Sequence, residues 1–214
     1  MKIIITGATG MVGEGVLLAC LQNPAIKEVL IINRKHFDLS HPKLKELLVP
    51  DFTKLDAFAG QLKGYDACFY CAGISSVGMD EAQYTYITFD TTLSFARTLA
   101  SLNPDMVFTY VSGSSTDSSE KGKLMWARVK GRTENTLMKL SFKGVYNFRP
   151  GFMKPFKGQK NVKAIFKPVI LIFPLLFPKY TLTLQEVAQA MINVVVKGYS
   201  KQVLEISDIK TLAL

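Results

Sequence analysis

The stretch "KIIITGATGMVG" (residues 2–13) limits the fold more than any other part of the chain. "KIIIT" is a short, unbroken apolar run, which reads as a strand buried on both faces. It passes directly into Gly7, Gly10 and Gly13, and "MVGEGVLLACLQ" (11–22) then reads as a helix that "NPAI" ends. Glycines at this spacing are informative because they lie between a strand and a helix, inside a strand–helix–strand unit. The first glycine permits the tight turn. The second lets the backbone approach a pyrophosphate, and the third lets helix and strand pack closely. The helix N-terminus then offers unpaired N–H groups and the positive end of its dipole. Gly7, Thr9, Gly10, Met11, Val12 and Gly13 are therefore expected to line a dinucleotide's phosphates. The competing reading is an ordinary strand-to-helix turn.

The rest of the chain repeats that alternation. Strands are expected at 28–34, more weakly at 46–51, at 66–73, 104–113, 145–151 and 202–207. Helices are expected at 55–62, 80–102, 122–140 and 185–198, the last opened by a capping box of Thr183 and Glu186. Apolar strands alternating with helices predict an α/β fold, a doubly wound parallel sheet covered on both faces. With 214 residues and 48% hydrophobic content the chain can bury a full core as one domain, 1–214. Residues 152–182 differ in character and are expected to form a small apolar substrate lobe.

The net charge of +9 suits anionic partners, and a cofactor with several phosphates satisfies it. No nucleic-acid motif is present, so no nucleic-acid partner is expected. Cys68 and Cys71 form a C-x-x-C, but on a strand their side chains should face opposite sides of the sheet. His36 and His41 have no zinc spacing, and no metal is expected. The chain starts directly in a strand, with no signal peptide, so a reduced, cytoplasmic protein is expected. The uncharged run from Pro168 to Pro178 is too short and too proline-broken to span a bilayer. Val162, Ile165, Phe166, Val169, Ile170 and Phe173 form a helical apolar stripe, with Lys160, Lys163 and Lys167 off it. That pattern suits an interfacial helix, but Pro168 interrupts it, and a lobe helix packed on the domain explains it better.

At the end of the second strand an acid would accept from a ribose 2′-hydroxyl, whereas cations accommodate a 2′-phosphate. This chain reads "INRKHF", with Arg34 and Lys35 and no acid until Asp38. Two cations can form charge-assisted bonds to a phosphate, so NADP(H) is the expected cofactor. The alternative is a solvated basic turn.

The pattern T-G-x-x-G-x-x-G resembles the extended and atypical short-chain dehydrogenase/reductase family, which is epimerase/dehydratase-like. "RPG" and the Thr-capped late helix are similar to the Tat-interacting-protein type of atypical reductase. The resemblance implies that Asp51 and Phe52 lie at the adenine and that Cys71, Ala72 and Gly73 pass behind the cofactor. It also implies a Tyr-x-x-x-Lys helix, in which the lysine holds the ribose and lowers the tyrosine's pKa. No tyrosine here has a lysine four residues on. The matching stretch is "WARVK", which keeps Lys130 and puts Trp126 in the tyrosine's place. Indole N–H donates a hydrogen bond but is no practical acid. For the family's serine, "YVSGSST" offers Ser112 and Ser114, Ser114 slightly ahead, with Gly113 at one alignment. Tyr84, Tyr86 or a water would be substitute proton donors, and a core-facing indole is the plain alternative for Trp126.

Two functions follow as expectations. One is an NADPH-dependent oxidoreductase acting on a small apolar carbonyl. The other is a nucleotide-binding sensor or partner-binding protein without turnover. A small-molecule substrate, no stable membrane insertion and a homodimer are compatible with the first.

Overall fold

The computed structural model describes residues 1–162, 172–174 and 176–214. The predicted stripe residues Ile165, Phe166, Val169 and Ile170, with Lys163 and Lys167, lie outside the described residues.

The sheet is parallel throughout. Strands β1 (Lys2–Thr6), β2 (Glu28–Asn33), β3 (Leu44–Leu48), β4 (Ala67–Tyr70), β5 (Val107–Val111) and β6 (Gly144–Phe148) belong to it. So does the short β9 (Val203–Leu204), and the spatial order is β3-β2-β1-β4-β5-β6-β9. A smaller parallel pair joins β7 (Phe152–Lys154) to β8 (Thr181–Thr183). The strand order reverses between β1 and β4. At such a switch point the loops leave in opposite directions and open a crevice beyond the carboxyl ends of the strands.

Alternation along β1 shows why both faces need cover. Ile3 and Ile5 point into one apolar layer and Ile4 into the other, all fully buried. Each such side chain stabilises the fold by about 1.5–3 kcal/mol relative to exposure. The first layer is closed by α1 (Met11–Gln22), α5 (Leu184–Lys197) and α6 (Ile206–Leu212). The second is closed by a 3-10 run (Phe52–Gln61), α3 (Thr91–Leu102) and α4 (Met125–Leu137). Cys68 packs in the second layer and Cys71 against the first, so the two thiols diverge.

Several boundaries differ from the sequence expectation. The long helix at 80–102 is α2 (Glu81–Thr85), a π turn (Tyr86–Asp90) and α3. The expected strand at 202–207 stops at Leu204, because Glu205 caps α6 in a box with Asp208. Glutamate is not among the favoured capping residues, so this start signal was not legible. The third strand lies at Leu44–Leu48, slightly earlier than expected. The Thr183–Glu186 box is present: Glu186 N–H donates to Thr183 Oγ1 at 3.1 Å and Thr183 N–H donates to Glu186 Oε2 at 2.6 Å.

Candidate nucleotide-binding and reaction site

The glycine loop closes at the carboxyl end of β1. Gly7 has φ +74°, and a side chain there would sit 2.7 Å from the Ala72 nitrogen. The β4 end, Cys71 and Ala72, therefore presses against the loop, and Thr6 Oγ1 accepts from Ala72 N–H at 3.1 Å. A Cβ on Gly13 would lie 2.1 Å from the Gly7 carbonyl oxygen, so α1 packs on the turn without room for any side chain. Gly10 caps α1 with no side-chain bond, while Thr9 and Gly10 are exposed. The N–H groups of Met11, Val12 and Gly13 thus have no intrahelical partner and point outward from the helix end. A backbone-only wall with free donors fits a pyrophosphate.

Beyond β2, Arg34 and Lys35 are exposed. Glu46 on β3 is a residue that sequence order did not place here. Its Oε1 accepts from Asn33 Nδ2 at 3.0 Å and Phe37 N–H at 2.9 Å, and its Oε2 meets His36 Nδ1 at 2.5 Å. Burial opposes its charge, but the bonds from Asn33, His36 and Phe37 together hold the carboxyl below its usual range. That carboxylate is committed to shaping the loop, and Arg34, Lys35 and, further on, Asp38 remain exposed there. Asp51 accepts from Thr53 N–H at 2.9 Å and caps the 3-10 run. The Phe52 ring is buried against Phe95, with centroids 5.1 Å apart. Gly73 is exposed, with open space where a side chain would go.

The β5–α4 region holds the remaining candidates. Ser112 is buried, and its hydroxyl is bonded to Thr116 Oγ1 at 2.8 Å. Ser114 and Ser115 instead line a cavity of about 470 Å³, together with Phe152, Phe173, Tyr180, Glu205 and Ile206. Ser115 holds φ 121°, a strained value for a residue with a side chain, and such strain concentrates at functional sites. A Cβ on Gly113 would lie 3.7 Å from the Trp126 ring, so the indole covers the serine loop. Lys130 donates to the Val111 carbonyl at 3.5 Å and lies 5.4 Å from the Tyr110 ring centroid. Burial lowers its pKa to about 8, with Glu134 one turn later pulling the other way. A Cβ on Gly131 would strike the Asp117 carbonyl at 1.8 Å, which explains the glycine after the lysine.

A match to the family described as "NAD dependent epimerase/dehydratase family" covers residues 3–134. The chain belongs to this family. The chain is 32% identical over 143 residues to leucinostatins biosynthesis cluster protein T of Purpureocillium lilacinum, covering 65% of this chain and 52% of that one. It is 27% identical over 154 residues to protein HTATIP2 of Rattus norvegicus, covering 71% and 62%. The matched stretch thus spans between half and two thirds of these relatives' own length. Among solved structures, the Bordetella bronchiseptica enzyme WbmF in complex with NAD+ superposes with a TM-score of 0.69 at 16% identity, covering 99% of this chain and 76% of that one. At that identity the likeness shows the fold.

Several residues around this family site carry no sequence motif. Glu14, buried on α1, accepts from the N–H groups of Lys160 at 2.8 Å and Asn161 at 2.6 Å. Gln159 donates to the Met11 carbonyl. Residues 159–161 are therefore tied to the first turn of α1. The arginine of "RPG", Arg149, donates through Nε and Nη2 to Glu134 at 3.1 and 2.5 Å, and through Nη1 to Glu205 at 3.2 Å. Only the folded chain brings these partners together, across 15 and 56 residues. Among the described residues no helix is long and apolar enough to cross a membrane, and no cluster of metal-binding side chains is present.

Proposed function

We propose that this protein is an NADP(H)-dependent oxidoreductase of the atypical short-chain type, acting on a small apolar carbonyl-type substrate. The observation that carries the reading is the backbone-walled glycine turn at the switch point, with Arg34 and Lys35 free beyond β2. A nicotinamide nucleotide, when bound, supplies hydride transfer. Met11, Val12 and Gly13 hold its pyrophosphate by backbone N–H groups. Arg34 and Lys35 pair with the 2′-phosphate. Asp51 and Phe52 border the adenine, the latter through its backbone because its ring is committed to the core. Cys71, Ala72 and Gly73 pass behind the nucleotide, and Lys130 anchors the nicotinamide ribose. Ser114 faces the substrate, whereas Ser112 supports the loop through Thr116. From the segment 152–182, the described residues Phe152, Phe173 and Tyr180 border the substrate. A reducing, cytoplasmic setting is supported by three cysteines that are all free thiols.

The test is a titration with NADPH and NADH, read by the fluorescence of the single tryptophan. NADPH binding the more tightly supports the proposal, and equal affinity overturns the cofactor assignment. The packing of Trp126 over Gly113 favours one alternative, a nucleotide-binding sensor without turnover. Hydride consumption with a panel of apolar carbonyls and enals separates the two.

A further inference from the structure

We infer that the surface around residues 172–180 docks reversibly on a lipid bilayer that carries anionic headgroups. Two independent observations meet there, one of exposed apolar side chains and one of charge. Neither depends on the nucleotide or on the reaction.

The apolar observation comes from the described residues of this segment. Ile172, Leu176, Phe177 and Tyr180 leave 55, 65, 46 and 62% of their surface exposed. Large apolar groups gathered at a surface mark a binding face. Phe173 anchors the segment instead, its ring packed on Phe152 at 4.7 Å and on Phe177 at 5.0 Å. Phe177 N–H donates to the Phe173 carbonyl at 2.8 Å, and Lys210 Nζ donates to the Pro178 carbonyl at 2.9 Å. The turn is thus held from the protein side while those four side chains stay outside. Tyr180 adds a ring with a polar tip, the type that suits the headgroup boundary. The contact is made by these side chains at the lipid surface, and among the described residues no helix is long and apolar enough to cross it.

The charge observation comes from the sequence. Between Arg149 and Glu186 there is no acidic residue, and there are six lysines: Lys154, Lys157, Lys160, Lys163, Lys167 and Lys179. This stretch supplies six of the nine net positive charges. Lys179 is exposed beside Tyr180, and Lys154 is exposed at the end of β7, whose partner β8 follows that tyrosine directly. Glu205 lines the same cavity as Phe173 and Tyr180, and Arg149 meets its charge at 3.2 Å. The kind of cation separates lipid from protein as the occupant. Protein interfaces favour arginine and are depleted in lysine, whereas this stretch has no arginine. Lysines around apolar and aromatic side chains are the composition of segments that lie on a membrane. A second copy of the chain would set like charges against like.

The experiment is co-sedimentation of the full chain with vesicles of phosphatidylcholine alone, or with about one third phosphatidylserine, at low and high salt. Binding to the anionic vesicles should be at least about tenfold stronger than to the neutral ones, and should weaken as salt rises. Lys154→Gln with Lys179→Gln should lower it about 30-fold, near fivefold for each lysine at an anionic surface. Ile172→Ser with Leu176→Ser should lower it about tenfold or more. All four positions are exposed, so thermal unfolding should match wild type, and Leu176→Ser alone keeps the test open if the apolar pair unfolds. Absence of binding to anionic vesicles overturns the inference, as does equal binding to neutral ones. So does anionic binding that the lysine pair abolishes and the apolar substitutions leave intact, which is adsorption by charge alone. Tighter binding to polyglutamate than to the anionic vesicles assigns the face to an acidic protein and overturns it too. Self-association that the apolar substitutions abolish, without vesicle binding, assigns the face to a second copy with the same result.

Discussion

The Trp126 ring lies in van der Waals contact with the position a Cβ on Gly113 would take, 3.7 Å away. Trp126 stands where the family resemblance expects the proton donor, and it packs against Gly113, which takes the place of the family's serine at one alignment, Ser112 and Ser114 being the other candidates. Trp126→Tyr restores Tyr-x-x-x-Lys on the face of α4 that carries Lys130. Reduction of generic aldehydes should rise toward the roughly 10²–10⁴-fold that a placed acid contributes. Adding Gly113→Ser should raise it further than either change alone. A steady-state assay of the three variants decides, and flat rates across them would exclude this helix from the reaction centre.

Cofactor choice should depend on Arg34. With Glu46 engaged by Asn33, His36 and Phe37, the Arg34 guanidinium is free for a 2′-phosphate. Arg34→Ala should cost NADPH roughly 1.5–3 kcal/mol, or about 10- to 150-fold in affinity, and leave NADH within error of wild type. Equilibrium titration with each nucleotide measures both effects.

Lys130 makes stability depend on pH in a defined direction. Its pKa falls from 10.5 to about 8 on folding. Between those values the unfolded chain holds a proton that the folded chain has released, so stability rises with pH through that window. Urea unfolding of the nucleotide-free protein at pH 7.5 and 9.5, against Lys130→Met, isolates the contribution. Wild type should gain on the variant as pH rises, and a constant gap would refute the burial of the ammonium.

Arg149 should be structurally indispensable. Removing its guanidinium leaves Glu134 as an uncompensated charge at zero exposure. Breaking such a pair from one side typically costs about 3–5 kcal/mol. Arg149→Met should lose that much in denaturant unfolding, while Glu134→Gln with Arg149→Met should recover part of it.

The first layer of this protein was legible because its constraints act locally. Gly7, Gly10 and Gly13 declare a turn and a helix start within a few residues, and the apolar runs declare strands. Arg34 and Lys35 could be placed just beyond a strand end, their pairing with a 2′-phosphate being a proposal. Glu46, Glu134 and Glu205 could not, since each acquires its role from partners that only the sheet order brings near. The short strands Phe152–Lys154 and Thr181–Thr183 escaped for another reason: three residues carry too little periodicity to signal a strand. Phe52 read as an adenine neighbour, and its ring proves to serve the core.

The capping of α6 by Glu205 also shapes how the molecule meets its own kind. Because that cap ends β9 after two residues, one flank of the sheet presents almost no free ladder of N–H and C=O groups. The opposite flank, β3, is five residues long and carries Lys45 and Glu46, the first of these paired to Glu28 at 2.6 Å. Short or charged borders are poor templates for a stray strand. A strongly apolar parallel sheet is thereby protected from edge-to-edge aggregation by the same glutamate that faces the cavity.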